Sequence, residues 1–258
     1  MLEDKKKAVG GGGNRGQCLA GTLCVAFYKC SRKIAFTLAE VLITIAIIGI
    51  VAALTMPMLI ANYQKRQTVV QLKKVYSELS QAVQLSAVQN GDIQNWNFQL
   101  SIDEFFNTYL SSFLKISEQS VGEAYNNGIA YYESSGNREL YLTNVYSNSR
   151  IVTLASGAQI LMSTVDWDTN PGYVIDLNGF KSPNKFGRDV FVFEVTPDGV
   201  QPYQWNDGED RTIKRLDRDI LRNGPSSFRY NCNKSGRGMW CAALIMSDGW
   251  KIKSDYPW

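Results

Sequence analysis

Nineteen consecutive residues, Val41–Leu59, carry no charge, and a single carboxylate, Glu40, stands directly before them. A helix rises about 1.5 Å per residue, so this run matches the roughly 30 Å hydrocarbon core of a bilayer. No further charge appears until Lys65. A plain anchor has no use for a carboxylate at its rim, because a charge beside hydrocarbon costs several kcal/mol unless it is paired. Glu40 therefore asks for a partner.

The net charge of +3 hides an asymmetry. Residues 1–35 hold seven Lys/Arg against Glu3 and Asp4, a local +5, which leaves −2 on the rest. The basic excess belongs to the N-terminal tail, and nothing in the charge of the remainder calls for nucleic acid as a partner. The chain contains no histidine. That removes Ser-His-Asp and Cys-His nucleophile systems and every His-ligated metal. A membrane-anchored enzyme is thus the weakest of the functional readings, and the expectation is a protein that is not an enzyme.

Cys18, Cys24 and Cys30 precede the apolar run, whereas Cys232 and Cys241 lie near the far end. Arg32 and Lys33 border the run within the basic tail, so the positive-inside bias predicts a cytoplasmic N-terminus. Lys65, Arg66, Lys73 and Lys74 on the other side oppose that bias. The soluble composition of the C-terminal part and its cysteine pair favour export. In an oxidising space the last two cysteines can close a disulfide, the other reading being two buried free thiols. Residues 10–13 are all glycine and read as part of a disordered tail.

At Arg32-Lys33-Ile34-Ala35 followed by Phe36-Thr37-Leu38-Ala39-Glu40 the chain resembles the type IV pilin and type II secretion pseudopilin family. The resemblance implies cleavage by prepilin peptidase between Ala35 and Phe36 and N-methylation of Phe36. The family usually has glycine where Ala35 stands. Glu40 becomes the fifth mature residue, the position of the acidic side chain that registers such subunits in their filament. In an apolar bundle, the new amine of one subunit can neutralise the carboxylate of its neighbour, and an unpaired buried charge costs far more than the pair. Gly49 and Pro57 fall where family helices bend or loosen in the assembled state, and Pro57 lacks an N–H and crowds the preceding turn. The rival reading is a single-pass anchor with a chance glutamate.

Beyond the span, Val69, Leu72, Tyr76, Leu79 and Val83 recur at 3-4-3-4 spacing, which predicts an amphipathic continuation of one long helix from about Thr37 to Gln89. Asn90-Gly91 supplies its stop. A coiled-coil partner is the rival explanation of this stripe. The remainder reads as mostly β, with strands expected at Gly128–Tyr132, Leu140–Tyr146, Arg150–Leu154, Gln159–Ser163, Tyr173–Asp176, Val190–Val195 and Val200–Tyr203. Ile102–Leu114 has helical spacing. The expected fold class is α+β, a long N-terminal helix, transmembrane in its first half, packed against a small antiparallel sheet. The expected divisions are a leader at 1–35 that is removed, a membrane and filament-core helix at 36–62, an amphipathic extension at 63–91, and a periplasmic head at 92–258.

Two segments of the head stand out. Asp176-Leu177-Asn178-Gly179, then Pro183-Asn184 and Gly187-Arg188-Asp189, place oxygen side chains two apart before a glycine, as calcium loops do. Asp176, Asn178 and Asp189 are the candidate calcium ligands, and no other cofactor is expected. Some major pseudopilins bind calcium in their heads, but this loop does not match their pattern, and EF-hand spacing is absent. A loop of Asx turns joining two strands is the competing explanation. Cys232 and Cys241 enclose eight polar or glycine-bearing residues, a spacing that excludes CxxC redox chemistry. A disulfide loop there is similar to what many type IV pilins have.

The resemblance implies a structural subunit of a type II secretion pseudopilus or a type IV pilus. Its expected partners are prepilin peptidase, inner-membrane lipid, the inner-membrane assembly platform, and further pilin copies in a helical filament. Its expected location is the bacterial inner membrane, single-pass with N in and C out, and then a periplasmic or cell-surface filament. The alternative is a minor pilin with a tip role in adhesion or DNA uptake.

Overall fold

A computed structural model describes residues 37–121, 130–136, 139–140, 150–162, 172–204, 217–224 and 229–258. The chain divides into two compact units, Met1–Ala52 and Ala53–Trp258. The division falls inside a helix of 53 residues, α1 (Leu38–Asn90).

In the first unit the described residues are Thr37 and the opening turns of α1. Leu42, Ile43, Ile47 and Ile48 are exposed. A helix apolar on all sides belongs in lipid or among other apolar helices.

In the second unit α1 runs through Pro57 without a break in its helical assignment. Gly91 follows it with φ +83°, the left-handed C′ position that glycine occupies without strain. Leu72, Val75, Leu79, Ala82, Val83 and Ser86 are buried. Val69 and Tyr76 pack half-buried at the margin of that face. The stripe is therefore wider than the expected one and is covered by the protein's own head, which displaces the coiled-coil explanation. Each fully buried Leu or Val contributes roughly 1.5–3 kcal/mol relative to exposure.

The head is built on a six-stranded antiparallel sheet in the order β1 (Ile116–Val121), β4 (Arg150–Leu154), β5 (Gln159–Met162), β6 (Gly172–Asp176), β7 (Val190–Thr196) and β8 (Gly199–Pro202). Two short strands, β2 (Tyr131–Tyr132) and β3 (Glu139–Leu140), pair separately. Every residue of β6 and β7 is buried, as expected of central strands covered on both faces. Tyr173 and Phe193 are register partners and so share a face. Phe106, on α2 (Ile102–Tyr109), meets Tyr173 at 6.1 Å between ring centroids, and Tyr76 of α1 meets Phe193 at 5.8 Å. The architecture is α+β, as expected.

Several elements differ from the expectation. α2 stops at Tyr109, and Ser111–Phe113 forms a separate 3₁₀ turn, so Ile102–Leu114 is not one helix. β1 was not foreseen. The strand expected at Gln159–Ser163 is present over Gln159–Met162, while Ser163 and parts of the strands expected at Gly128–Tyr132 and Leu140–Tyr146 lie outside the described residues. Two short helices, α3 (Arg218–Asn223) and α4 (Cys241–Ser247), were also not foreseen.

Cys232 and Cys241 form a disulfide with their Cα atoms 4.8 Å apart. The backbone N–H of Cys232 donates to Leu221 O at 2.9 Å, tying the loop to α3. Ser134 Oγ donates to the carbonyls of Asn233 and Gly236, both at 2.8 Å. Glu133, with a side chain only 1% exposed, lies 3.5 Å from both Arg229 and Arg237. Gly187 adopts φ +81°, and a Cβ there would lie 2.6 Å from Cys241 Sγ. Tyr256 Oη donates to Gly187 O at 2.6 Å. The disulfide, the C-terminal tail and the loop after β6 are thus in direct contact.

Candidate functional site

The start of α1 is organised by a Thr-x-x-Glu sequence. Thr37 donates to Glu40 Oε2 twice, from its backbone N–H at 2.8 Å and from its hydroxyl at 2.9 Å. Glu40 N–H donates back to Thr37 Oγ1 at 3.2 Å. This is a capping box, which satisfies donors that the first turn of a helix leaves open. Both bonds accepted by the carboxylate fall on Oε2, and Oε1 accepts none among the described residues. Thr37 was not singled out in the sequence, although threonine three residues before glutamate is the signature of this cap. Ala35 and Phe36, the expected processing residues, lie outside the described residues. Gly49 and Pro57 are exposed positions on α1, and a Cβ at Gly49 would meet nothing within 4 Å.

The second constellation is the loop from the end of β6 to the start of β7. It brings Asp176, Asn178 and Asp189 together. Asn178 N–H donates to Asp176 Oδ1 at 3.1 Å, and Asn178 Nδ2 donates to Asp189 Oδ2 at 3.3 Å. Tyr131 Oη donates to Asp176 Oδ2 at 3.1 Å. The backbone N–H groups of Asn184 and Lys185 donate to the two oxygens of Asp189 at 2.9 and 2.6 Å. Burial, followed by the nearby charge of Asp189, pushes the Asp176 carboxyl up to about 8. Burial also raises Asp189, against the backbone donors that hold it down. Sequence reasoning placed Asn184 in this cluster without naming it a ligand, and did not include Tyr131 or Gln159. Tyr131 and Gln159 come from other strands, and no local pattern signals them. The described residues contain no group of three or more His, Cys, Asp or Glu placed to hold a metal.

Residues 30–56 match the prokaryotic N-terminal methylation motif, which is the prepilin-type signal of type IV pilins and pseudopilins. The match supports a type IV pilin-like or pseudopilin subunit and implies prepilin peptidase processing and pilin assembly in general. Its single candidate span among the described residues, on α1, fits membrane anchoring of a pilin. No curated protein and no solved structure matches the chain. Residues 58–258, most of the chain and nearly all of its second unit, match a family of unknown function, and the chain therefore belongs to the DUF6613 family.

Proposed function

We propose that this chain is a structural filament subunit of a type II secretion pseudopilus or type IV pilus, without enzymatic activity of its own. It is inserted into the inner membrane with its N-terminus in the cytoplasm, cut between Ala35 and Phe36, and methylated at Phe36. The assembly platform then draws it out of the membrane into a helical polymer.

One observation carries this reading: the half-used carboxylate of Glu40 at the head of an uncovered apolar helix. Oε2 serves the subunit's own cap, which leaves Oε1 to accept the Phe36 amine of a neighbour. Exchange of lipid for neighbouring helices keeps the surface apolar, so packing alone sets no axial register. An ion pair formed away from water does, because any other register leaves a buried charge without a partner. The cap also survives processing, since the Thr37 N–H stays an amide when the bond before Phe36 is cut.

The test is Glu40→Ala. Membrane insertion and leader removal are expected to proceed as in the unmodified protein, while sheared filament or pseudopilus yield falls to background. Wild-type filament yield from this variant would remove the registry role.

A further inference from the structure

Where the head meets α1 on the side of the apolar run, it gathers positive charge that no described carboxylate pairs. Lys65 lies seven residues before the buried Leu72, in line with the apolar stripe that the head covers. Its ammonium stands 5.9 Å from the ring centroid of Trp258, and the Arg188 guanidinium stands 5.3 Å from the same ring. Thr68 Oγ1 donates to Arg188 O at 3.3 Å, which fixes that residue beside the helix. On the flank of α1 an open groove of about 670 Å³ separates the helix from the segment after α4. Asn62, Arg66 and Val70 line one wall, and Trp250, Lys251 and Ile252 line the other. Lys65, Arg66, Arg188 and Lys251 make no ion pair with a described carboxylate. Even a terminal carboxylate on Trp258 offsets only one of these charges. A ring face attracts a cation, but two cations beside one ring repel each other, and an anion between them relieves that.

We propose that this groove seats the phosphate headgroup of an anionic phospholipid from the membrane leaflet next to the head. The inference rests on the reading of α1 as a membrane span. Leu54, Met58, Leu59 and Ile60 are exposed apolar residues of the same unit as the groove. From Leu59 to Lys65 the helix advances about 9 Å. A headgroup layer is of that order, since a bilayer about 40–45 Å thick holds a hydrocarbon core of about 30 Å. The groove runs along α1 from Asn62 to Val70, so its near end, with Lys65 and Arg66, falls at the lipid phosphates. Tyr63, 66% exposed, and the half-buried Trp258 are side chains suited to that level. Positive charge fixes the sign of the ligand, and Val70 and Ile252 beside it suit a headgroup that carries its glycerol backbone with it. A polyanion such as DNA matches the charge but not the exposed apolar helix that adjoins it. Lys65 and Arg66 thereby gain a role on the side of the span that the positive-inside bias leaves poor in cations.

The test titrates the full chain in detergent with phosphatidylglycerol or phosphatidylcholine of the same acyl chains and counts bound lipid by native mass spectrometry. Phosphatidylglycerol should bind the more tightly, by about fivefold for each basic residue engaged. Neither glycerol 3-phosphate nor a short DNA duplex should displace it. Arg66→Gln and Lys251→Gln change exposed side chains and leave the core untouched. Each should weaken phosphatidylglycerol binding about fivefold, the effect of one basic residue at an anionic surface. Lys115→Gln, the same loss of charge at an exposed residue just before β1, should leave binding unchanged. Equal binding of the two lipids overturns the site, as does a double Arg66→Gln and Lys251→Gln variant that binds like the unmodified protein. Displacement by glycerol 3-phosphate or by DNA overturns the assignment to lipid. Alkaline carbonate extraction of cell membranes separates this inference from the reading it rests on. A chain that resists extraction but shows no preference for phosphatidylglycerol keeps the span and loses the site, whereas an extractable chain removes both.

Discussion

Glu40 accepts both of the hydrogen bonds that Thr37 offers, at 2.8 and 2.9 Å, on one and the same carboxylate oxygen. Ser101 and Glu104 repeat the arrangement at the start of α2, again with both bonds on a single oxygen. One oxygen of the carboxylate thus serves the subunit's own helix cap, and in the filament proposed above the other is the acceptor for the neighbour's amine.

A first prediction concerns the cap. Thr37→Ala keeps the backbone bond but removes the hydroxyl, weakening the helix start by roughly 0.5–2 kcal/mol. Filament yield should drop but remain measurable, leader cleavage should be unaffected, and Thr37→Ser should behave as the unmodified chain. Yield for Thr37→Ala as low as for Glu40→Ala would show that the cap, and not the carboxylate's free oxygen, controls assembly.

The disulfide gives a second prediction. It closes a short loop, so its removal should cost about 2–3 kcal/mol through the unfolded state. Cys232→Ser, Cys241→Ser and reduction of the unmodified protein should lower the denaturant midpoint of the head by the same amount, read by tryptophan fluorescence. A larger loss in the variants than on reduction would mean that packing of Cys241 against Gly187, not the covalent link, dominates.

The C-terminal tail supplies a pH test. Asp248, whose side chain is 2% exposed, accepts from Arg218 Nε at 2.6 Å and lies 2.5 Å from Lys253 Nζ. Burial alone would raise this carboxyl, but the bonds from Arg218 and Lys253 outweigh it and hold it below the usual aspartate value of 3.8. Its stabilisation is therefore complete above that value and is lost as pH falls through the lower, folded one. Hydrogen bonds to a charged group contribute roughly 1.5–3 kcal/mol. Asp248→Asn should lower the melting temperature at pH 7, and the gap to the unmodified protein should start to narrow below about pH 4 and shrink further as pH falls. A gap of the same size from pH 7 down to pH 2 would assign the loss to packing.

Where a residue's role is set by its immediate neighbours, the sequence was readable. The stop at Asn90-Gly91, the Arg150–Leu154 strand and the hairpin across Thr196–Gly199 follow from local chemistry. β1, with the polar sequence Ile-Ser-Glu-Gln-Ser-Val, is an edge strand with a bulge near Ile116, and only its pairing with β4 makes it a strand. Cys241–Ser247 is apolar on nearly every side and has no side-chain cap, so no helical periodicity announces it. The Asp176 cluster divides the same way. Asp176, Asn178 and Asp189 are close in sequence, while Gln159 and Tyr131 reach it only through strand register and tertiary contact.

The central claim is that this chain is processed into a filament subunit whose new amine meets Glu40. Mass spectrometry of the mature protein's N-terminus tests it most directly. A terminus at Phe36 carrying one added methyl group, with residues 1–35 gone, is the predicted result. An intact leader, or a terminus elsewhere with no methyl group, would contradict it.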